Sequence, residues 1–145
     1  MTGQPDPGET YRRYQSAVVL HAQAGARACG LGASDLHALT ILALAGAMTP
    51  GELGARIGLT TGPTTRLVDR LEHAGYVRRV PDPSDRRKVT VQPTGEPADL
   101  DRKLTPARRR LAELIASYEP QEQRILLDYF ARAAAALEQS ATEIG

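Results

Sequence analysis

The chain has one cysteine, Cys29, no tryptophan, and only Phe130 and five tyrosines as aromatics in 145 residues. A single thiol excludes an intramolecular disulfide and a thiolate cluster for zinc. No apolar run approaches the roughly 20 residues that a membrane-spanning helix needs. The opening "MTGQPDPGET" carries neither the cationic nor the apolar segment of a secretory leader. These absences lead us to expect a soluble, cytoplasmic protein with no membrane partner. Catalytic signatures are missing too: there is no G-x-S-x-G elbow, no H-E-x-x-H helix and no phosphate-binding glycine loop. Cys29 has no evident His-plus-acid orienter, and His21, His37 and His73 are scattered. The expectation is therefore a protein that is not an enzyme, with no cofactor and no metal.

What is present is alanine and leucine in quantity, which favours helix, at a length that suits one domain with a real core. A mainly α fold follows. The net charge of +1 is spread unevenly. Residues 56–88 hold eight cations (Arg56, Arg66, Arg70, Arg78, Arg79, Arg86, Arg87, Lys88) against four acids (Asp69, Glu72, Asp82, Asp85). A mixed-charge run is ordinarily a solvated face, so the elements around it must decide its meaning.

Residues 1–8, with Pro5, Pro7 and Gly8, read as a flexible tail. From Glu9 to about Cys29, Tyr11, Tyr14, Val18, His21, Gly25 and Ala28 recur at helical steps as one stripe. "GLG" at 30–32 breaks that helix, and Ser34 is a candidate N-cap for a second one. Leu36, Leu39, Ile41, Leu42 and Leu44 make this second helix apolar on much of its circumference.

The next stretch is closely punctuated. Thr49 followed three residues later by Glu52 is a capping box, with Pro50 at the first helical position, where a missing N–H costs nothing. Leu53 and Ile57 form the buried edge of this short helix. Gly58 supplies a turn, and Thr60 or Thr61 caps the next helix, which accepts Pro63 in its first turn. Thr64, Leu67, Val68 and Leu71 share one face, and Gly75 ends the helix. Two short helices joined by a glycine turn are a helix-turn-helix. "YVRRV" and "KVTVQ" then alternate with period two around "PDPSDRR", as the hairpin of a wing. Pro81 and Pro83 stiffen its tip and cannot continue the ladder. Two helical segments follow, from Pro97 to about Tyr118 with a break at Thr105-Pro106, and from Pro120 to Thr142. Their stripes are Leu104, Leu111, Leu114, Ile115 and Tyr118, then Leu126, Phe130, Ala133, Leu137, Ala141 and Ile144.

DNA reading requires a helix that offers short polar side chains and arginines to base edges, with further cations on phosphates. The outer face of residues 61–70 offers Thr61, Gly62, Pro63, Thr65, Arg66, Asp69 and Arg70. Arg66 suits bidentate pairing with guanine, threonines suit phosphates or a thymine methyl, and the small residues at 61–63 allow close approach to the groove. In the wing, Arg86, Arg87 and Lys88 sit where water or an anion such as a DNA phosphate can reach them, with Asp85 bracing Arg87 or Arg79. The expected partner is double-stranded DNA. A winged helix serving a protein partner is the rival reading, and it would call for aromatic anchors and few charges, where this region has only Tyr76.

The stretch "TPGELGARIGLTTGPTTRLVDRLEHAGYVRRVPDPSDRRKVTV" resembles the winged helix-turn-helix core of the MarR family of bacterial transcriptional regulators. In that family a "DRLE..G.V.R" signature precedes a wing carrying "DP.DRR", and the resemblance is contiguous over residues 34–91. It implies a homodimer in which the first helix and the last two form the dimerisation region, here 9–33 and 97–145, around a DNA-binding core at 34–96. By position it makes Thr61, Thr65 and Arg66 the recognition-helix contacts, Arg87 the wing residue in the minor groove, and Arg79 structural, paired with Asp85. It further implies a repressor on a pseudo-palindromic operator, released by a small aromatic or lipophilic ligand, for which His21 and His37 are the candidate lining residues. The sequence departs from the family at "QPTGEP", where members continue "LT..G", and at Pro63. A thiol-based sensor using Cys29 is an alternative supported by Arg27 nearby, although peroxide-sensing members carry their cysteine near the start of the first helix.

Overall fold

The computed structural model describes residues 3, 5–95 and 98–145. The element order is α1 (Pro7–Ala28), α2 (Ala33–Ala45), α3 (Pro50–Ile57), α4 (Thr61–His73), β1 (Val77–Pro81), β2 (Val89–Pro93), α5 (Ala98–Ala116) and α6 (Pro120–Ile144). The fold is mainly α, with a winged helix-turn-helix flanked by N- and C-terminal helices. The chain divides into two compact units, Met1–Leu104 and Thr105–Gly145. Among the described residues, no single helix is long and apolar enough to cross a membrane.

Helix α1 starts earlier than the sequence suggests. The Asp6 carboxylate accepts the N–H groups of Gly8 (3.4 Å) and Glu9 (2.9 Å), and Pro7 sits in the first turn, where no intrahelical donor is needed. Pro7 and Gly8 are thus helical rather than part of a tail. Residues 1, 2 and 4 of the expected tail lie outside the described residues. Along α1 only Gly25 and Ala26 are buried, while Tyr14, Val18, Val19 and Leu20 are exposed.

Helix α2 is capped at Gly32, not Ser34. Asp35, at the third helical position, reaches back to accept the Gly32 N–H at 2.9 Å, the second half of a capping box, so the hydroxyl of Ser34 is not required. Ala38 and Leu42 are sealed from water, Leu36, Leu39 and Ile41 are half-buried, and Leu44 is exposed.

At the start of α3 the capping box closes as expected. Glu52 donates its N–H to the Thr49 hydroxyl oxygen (3.2 Å), and Thr49 donates its N–H to the Glu52 carboxylate (2.9 Å). Gly58 ends α3 at φ +71°, a left-handed conformation that a side chain would resist. Between α3 and α4 the backbones come very close. A Cβ placed on Gly54 would stand 2.5 Å from the Thr64 hydroxyl and 3.0 Å from the Leu59 carbonyl. Thr60 is the N-cap of α4, and Thr64, Leu67, Val68 and Leu71 form its buried face. Leu67, Val68 and Leu71 join Ala38, Leu42, Met48, Leu53, Tyr76, Val77, Val91, Leu100 and Leu104 in one core. Each fully buried leucine there contributes about 1.5–3 kcal/mol relative to exposure.

The wing is an antiparallel pair in which Val77 faces Pro93 and Pro81 faces Val89. The ladder therefore reaches Pro81, one residue further than "YVRRV" indicates, because a proline at a strand end needs no donor. Met48, just before α3, exchanges backbone hydrogen bonds with Val91 (3.2 and 2.7 Å) and ties the hairpin to the helices.

Helix α5 runs unbroken through Pro106, contrary to the expected interruption at Thr105-Pro106. A proline already has a helical φ, and its cost is one lost donor and crowding against the preceding turn, which this helix absorbs. The expected start at Pro97 lies outside the described residues. Helix α6 spans 25 residues, opens with the Glu119 N–H donated to the Glu122 carboxylate (2.9 Å), and buries no residue. Tyr129 and Phe130 meet edge to face on it, with ring centroids 5.8 Å apart.

Candidate nucleic-acid interface

On α4 the sequence pattern separates two faces. Thr64, Leu67, Val68 and Leu71 point into the core, while Thr61, Gly62, Thr65, Arg66, Asp69 and Arg70 are exposed and Pro63 is half-buried. The Thr64 and Thr65 hydroxyls donate to the Thr60 and Thr61 carbonyls at 2.8 and 3.0 Å. Thr64 is buried, so of the two only Thr65 stands on the outward face. A cleft of about 210 Å³ opens beside the first turn of α4, lined in part by Pro50, Gly54, Ala55, Thr60, Thr61 and Thr65.

The two arginines of α4 differ in state. Arg66 forms no ion pair among the described residues. Arg70 donates to the Asp35 carboxylate at 2.8 Å, and that carboxylate is almost fully buried. Sequence reasoning set Arg70 beside Arg66 as a DNA contact and overlooked Asp35, whose only visible signal was an acid in the first turn of α2.

Arg79 is structural, but its expected partner was wrong. Its guanidinium donates to Asp69 (2.7 Å) and Glu72 (2.8 Å), and its backbone N–H donates to Glu72 (2.9 Å). Asp85 is occupied elsewhere. β1 leaves α4 through the short turn at Gly75, which brings Arg79 back over the last turns of that helix. Burial works against the Arg79 charge, and the two carboxylates outweigh it, so the guanidinium's pKa is raised. The Glu72 carboxyl is held below its ordinary range by the Arg79 backbone N–H and then by its guanidinium. Through these bonds β1 is braced against α4, and the outward acids Asp69 and Glu72 share the one Arg79 cation.

The wing tip is ordered by its own backbone. Asp82 accepts from the Ser84 hydroxyl (2.6 Å), the Ser84 N–H (2.8 Å) and the Asp85 N–H (3.3 Å), which lowers its pKa. Lys88 closes the loop: its carbonyl accepts from Asp82 N–H and its N–H donates to the Asp85 carbonyl, both at 2.9 Å. Asp85 braces Arg87 through the backbone, accepting the Arg87 N–H at 3.0 Å rather than the guanidinium. Arg86, Arg87 and Lys88 are exposed, and none enters an ion pair among the described residues. The acids of this segment hold its backbone, Arg70 and Arg79 being the paired cations, which leaves Arg56, Arg66, Arg78 and the three wing cations exposed and outside any ion pair among the described residues.

The remaining candidates lie elsewhere. His21 on α1 and His37 on α2 are exposed, and neither lines the cleft beside α4. Cys29 is half-buried against the core as a small apolar residue at the end of α1. Among the described residues, no group of three or more His, Cys, Asp or Glu could hold a metal ion.

Known proteins share this arrangement. Residues 31–89 match the MarR family. The HTH-type transcriptional regulator YcgE of Bacillus subtilis is 39% identical over 132 residues, covering 90% of this chain and 86% of that protein. The crystal structure of the transcriptional regulator Tm0710 from Thermotoga maritima superimposes with a TM-score of 0.65 at 25% identity, over 93% of this chain and 96% of that one. The PcaV transcriptional regulator from Streptomyces coelicolor, crystallised with its natural ligand, gives a TM-score of 0.54 at 25% identity over 92% and 94% of the two chains. With its capped helix-turn-helix, braced wing and these relatives, the chain belongs to the MarR family of transcriptional regulators.

Proposed function

We propose that the protein binds double-stranded DNA as a homodimer and represses transcription from a pseudo-palindromic operator. The observation that carries this reading is the exposed edge of α4 on the same compact unit as the wing, with Arg66, Arg86, Arg87 and Lys88 exposed and in no ion pair among the described residues. Arg66 reads a guanine edge in the major groove. Thr61, Gly62, Pro63 and Thr65 allow and shape the approach of the α4 N-terminus. Arg87 enters the minor groove, and Arg86 and Lys88 neutralise phosphates. Residues 9–33 and 97–145 form the dimerisation region. A two-fold dimer then meets half-sites whose centres are about 10 base pairs apart, or a multiple of that.

Regulation follows from the same geometry. A small aromatic or lipophilic ligand that favours a different spacing of the two heads lowers affinity, because both half-sites can no longer be met together. The PcaV relative, crystallised with its natural ligand, supports such a ligand here.

Selection of random duplexes by the purified protein tests the reading, and it is expected to return a two-fold motif. On that duplex Arg66→Ala is expected to cost about 1–3 kcal/mol and to relax preference at one base position per half-site. A uniform loss on all sequences would remove the reading role from Arg66.

A further inference from the structure

Asp35 is the one buried acid among the described residues, with 4% of its surface exposed, and it belongs to no element of the DNA-facing edge. Its two carboxylate oxygens have separate partners. One accepts the Gly32 N–H at 2.9 Å, in the turn that joins α1 to α2, and the other accepts Arg70 Nη2 at 2.8 Å, from the exposed side of α4. A buried carboxylate without a cation is costly, so this ion pair has a strong reason to persist. Arg70 is one helical turn beyond Arg66, and a fixed Arg70 fixes the rotation and pitch of the helix that carries Arg66.

We infer that Asp35 is a positioning residue for DNA reading, which sets the recognition helix through Arg70, and that Arg70 serves as this tether rather than as a phosphate contact. The inference rests on the proposed DNA binding. Base reading needs donors within about 3 Å of the base edge, so the setting of α4 affects specific binding, whereas phosphate attraction tolerates a small rotation. The same carboxylate ties the α1–α2 turn to α4, so a shift of that turn passes directly to the reading helix.

Fluorescence anisotropy of the full chain tests this on the duplex selected by the wild type and on an unrelated duplex, across a range of salt. Asp35→Asn keeps an acceptor for Gly32 and loses the charge that holds Arg70. It is expected to weaken specific binding about tenfold, with non-specific binding and the salt slope unchanged. Arg70→Gln is expected to do the same, Arg70→Lys to restore most of the loss, and the double variant to be no weaker than the weaker single. The opposite pattern overturns the inference. If Arg70 contacts phosphate, Asp35→Asn leaves binding unchanged or stronger, and Arg70→Gln weakens both duplexes and reduces the salt slope by about one. Equal losses on both duplexes with reduced helicity by circular dichroism would mark a purely structural pair and overturn it as well. A wild type that binds no duplex refutes the DNA reading itself, an outcome separable from the others because each of those begins from wild-type binding.

Discussion

Helices α2, α3 and α4 each place at least one side chain wholly out of water, whereas α6, at 25 residues the longest helix, buries none. Helices α3, α4 and α6 are all amphipathic, so between them the difference is not one of pattern. The winged region finds cover for its apolar faces within its own compact unit: Leu42, Leu53, Leu67 and Leu71 meet one another and the wing residues Val77 and Val91. Leu111 and Leu114 of α5, Tyr118 in the turn after it, and Ile125, Leu127, Phe130 and Leu137 of α6 are exposed. Exposed apolar surface on this scale marks an interaction site. The winged region is complete as one chain, and our proposal is that a second copy covers the exposed apolar faces of the C-terminal helices.

The largest expected effect tests the self-sufficient side. Leu67→Ala, at a position with no exposure, is expected to cost about 2–5 kcal/mol in urea unfolding, while Leu127→Ala, more than half exposed, costs far less when the protein is dilute. Equal losses at all concentrations would remove the contrast. The dependent side is tested by Leu137→Glu, which puts a charge into the proposed interface. Sedimentation is expected to show a shift from dimer to monomer with the winged unit still folded, and a wild type that is monomeric at micromolar concentration would end the dimer scheme. Gly54→Ala pushes a methyl into Thr64 and the Leu59 carbonyl where α3 meets α4, and is expected to cost about 1–3 kcal/mol despite the better helix propensity of alanine. A stabilised variant would show that the two helices can part without loss.

The smallest effect is a pH dependence. The folded pKa of Glu72 lies below its ordinary 4.5, so its contribution is complete above that pH and lost as the pH falls through the lower folded value. Asp82 has the same sign below its ordinary 3.8. Glu72→Gln is accordingly expected to flatten the acid limb of the stability profile, measured by thermal melts between pH 5 and pH 2, and an unaltered limb would detach Glu72 from wing stability.

Much of the winged region was legible because its signals are local. The Thr49 and Glu52 capping box, the turn at Gly58 and the stripe Thr64, Leu67, Val68 and Leu71 all operate within a few residues, and each is present. Where a local rule had a competitor, the reading failed. Asp35 displaced Ser34 as the capping group of α2, and Asp6 extended α1 through residues that resembled a tail. Pro106 did not break α5, since one lost hydrogen bond is small beside those a long helix keeps.

The sequence by itself determined the helix-turn-helix, the wing and the face of α4 that turns outward, because helical period, caps and alternation are written over short spans. Only the tertiary structure decided which cations are engaged. Arg70 meets a carboxylate 35 residues away, and Arg79 chooses Asp69 and Glu72 over the nearer Asp85. An ion pair depends on where the folded chain brings its partners. No spacing rule specifies that path, and the outward charge of Arg66, Arg86, Arg87 and Lys88 could be set apart only once Arg70 and Arg79 had been matched with their acids.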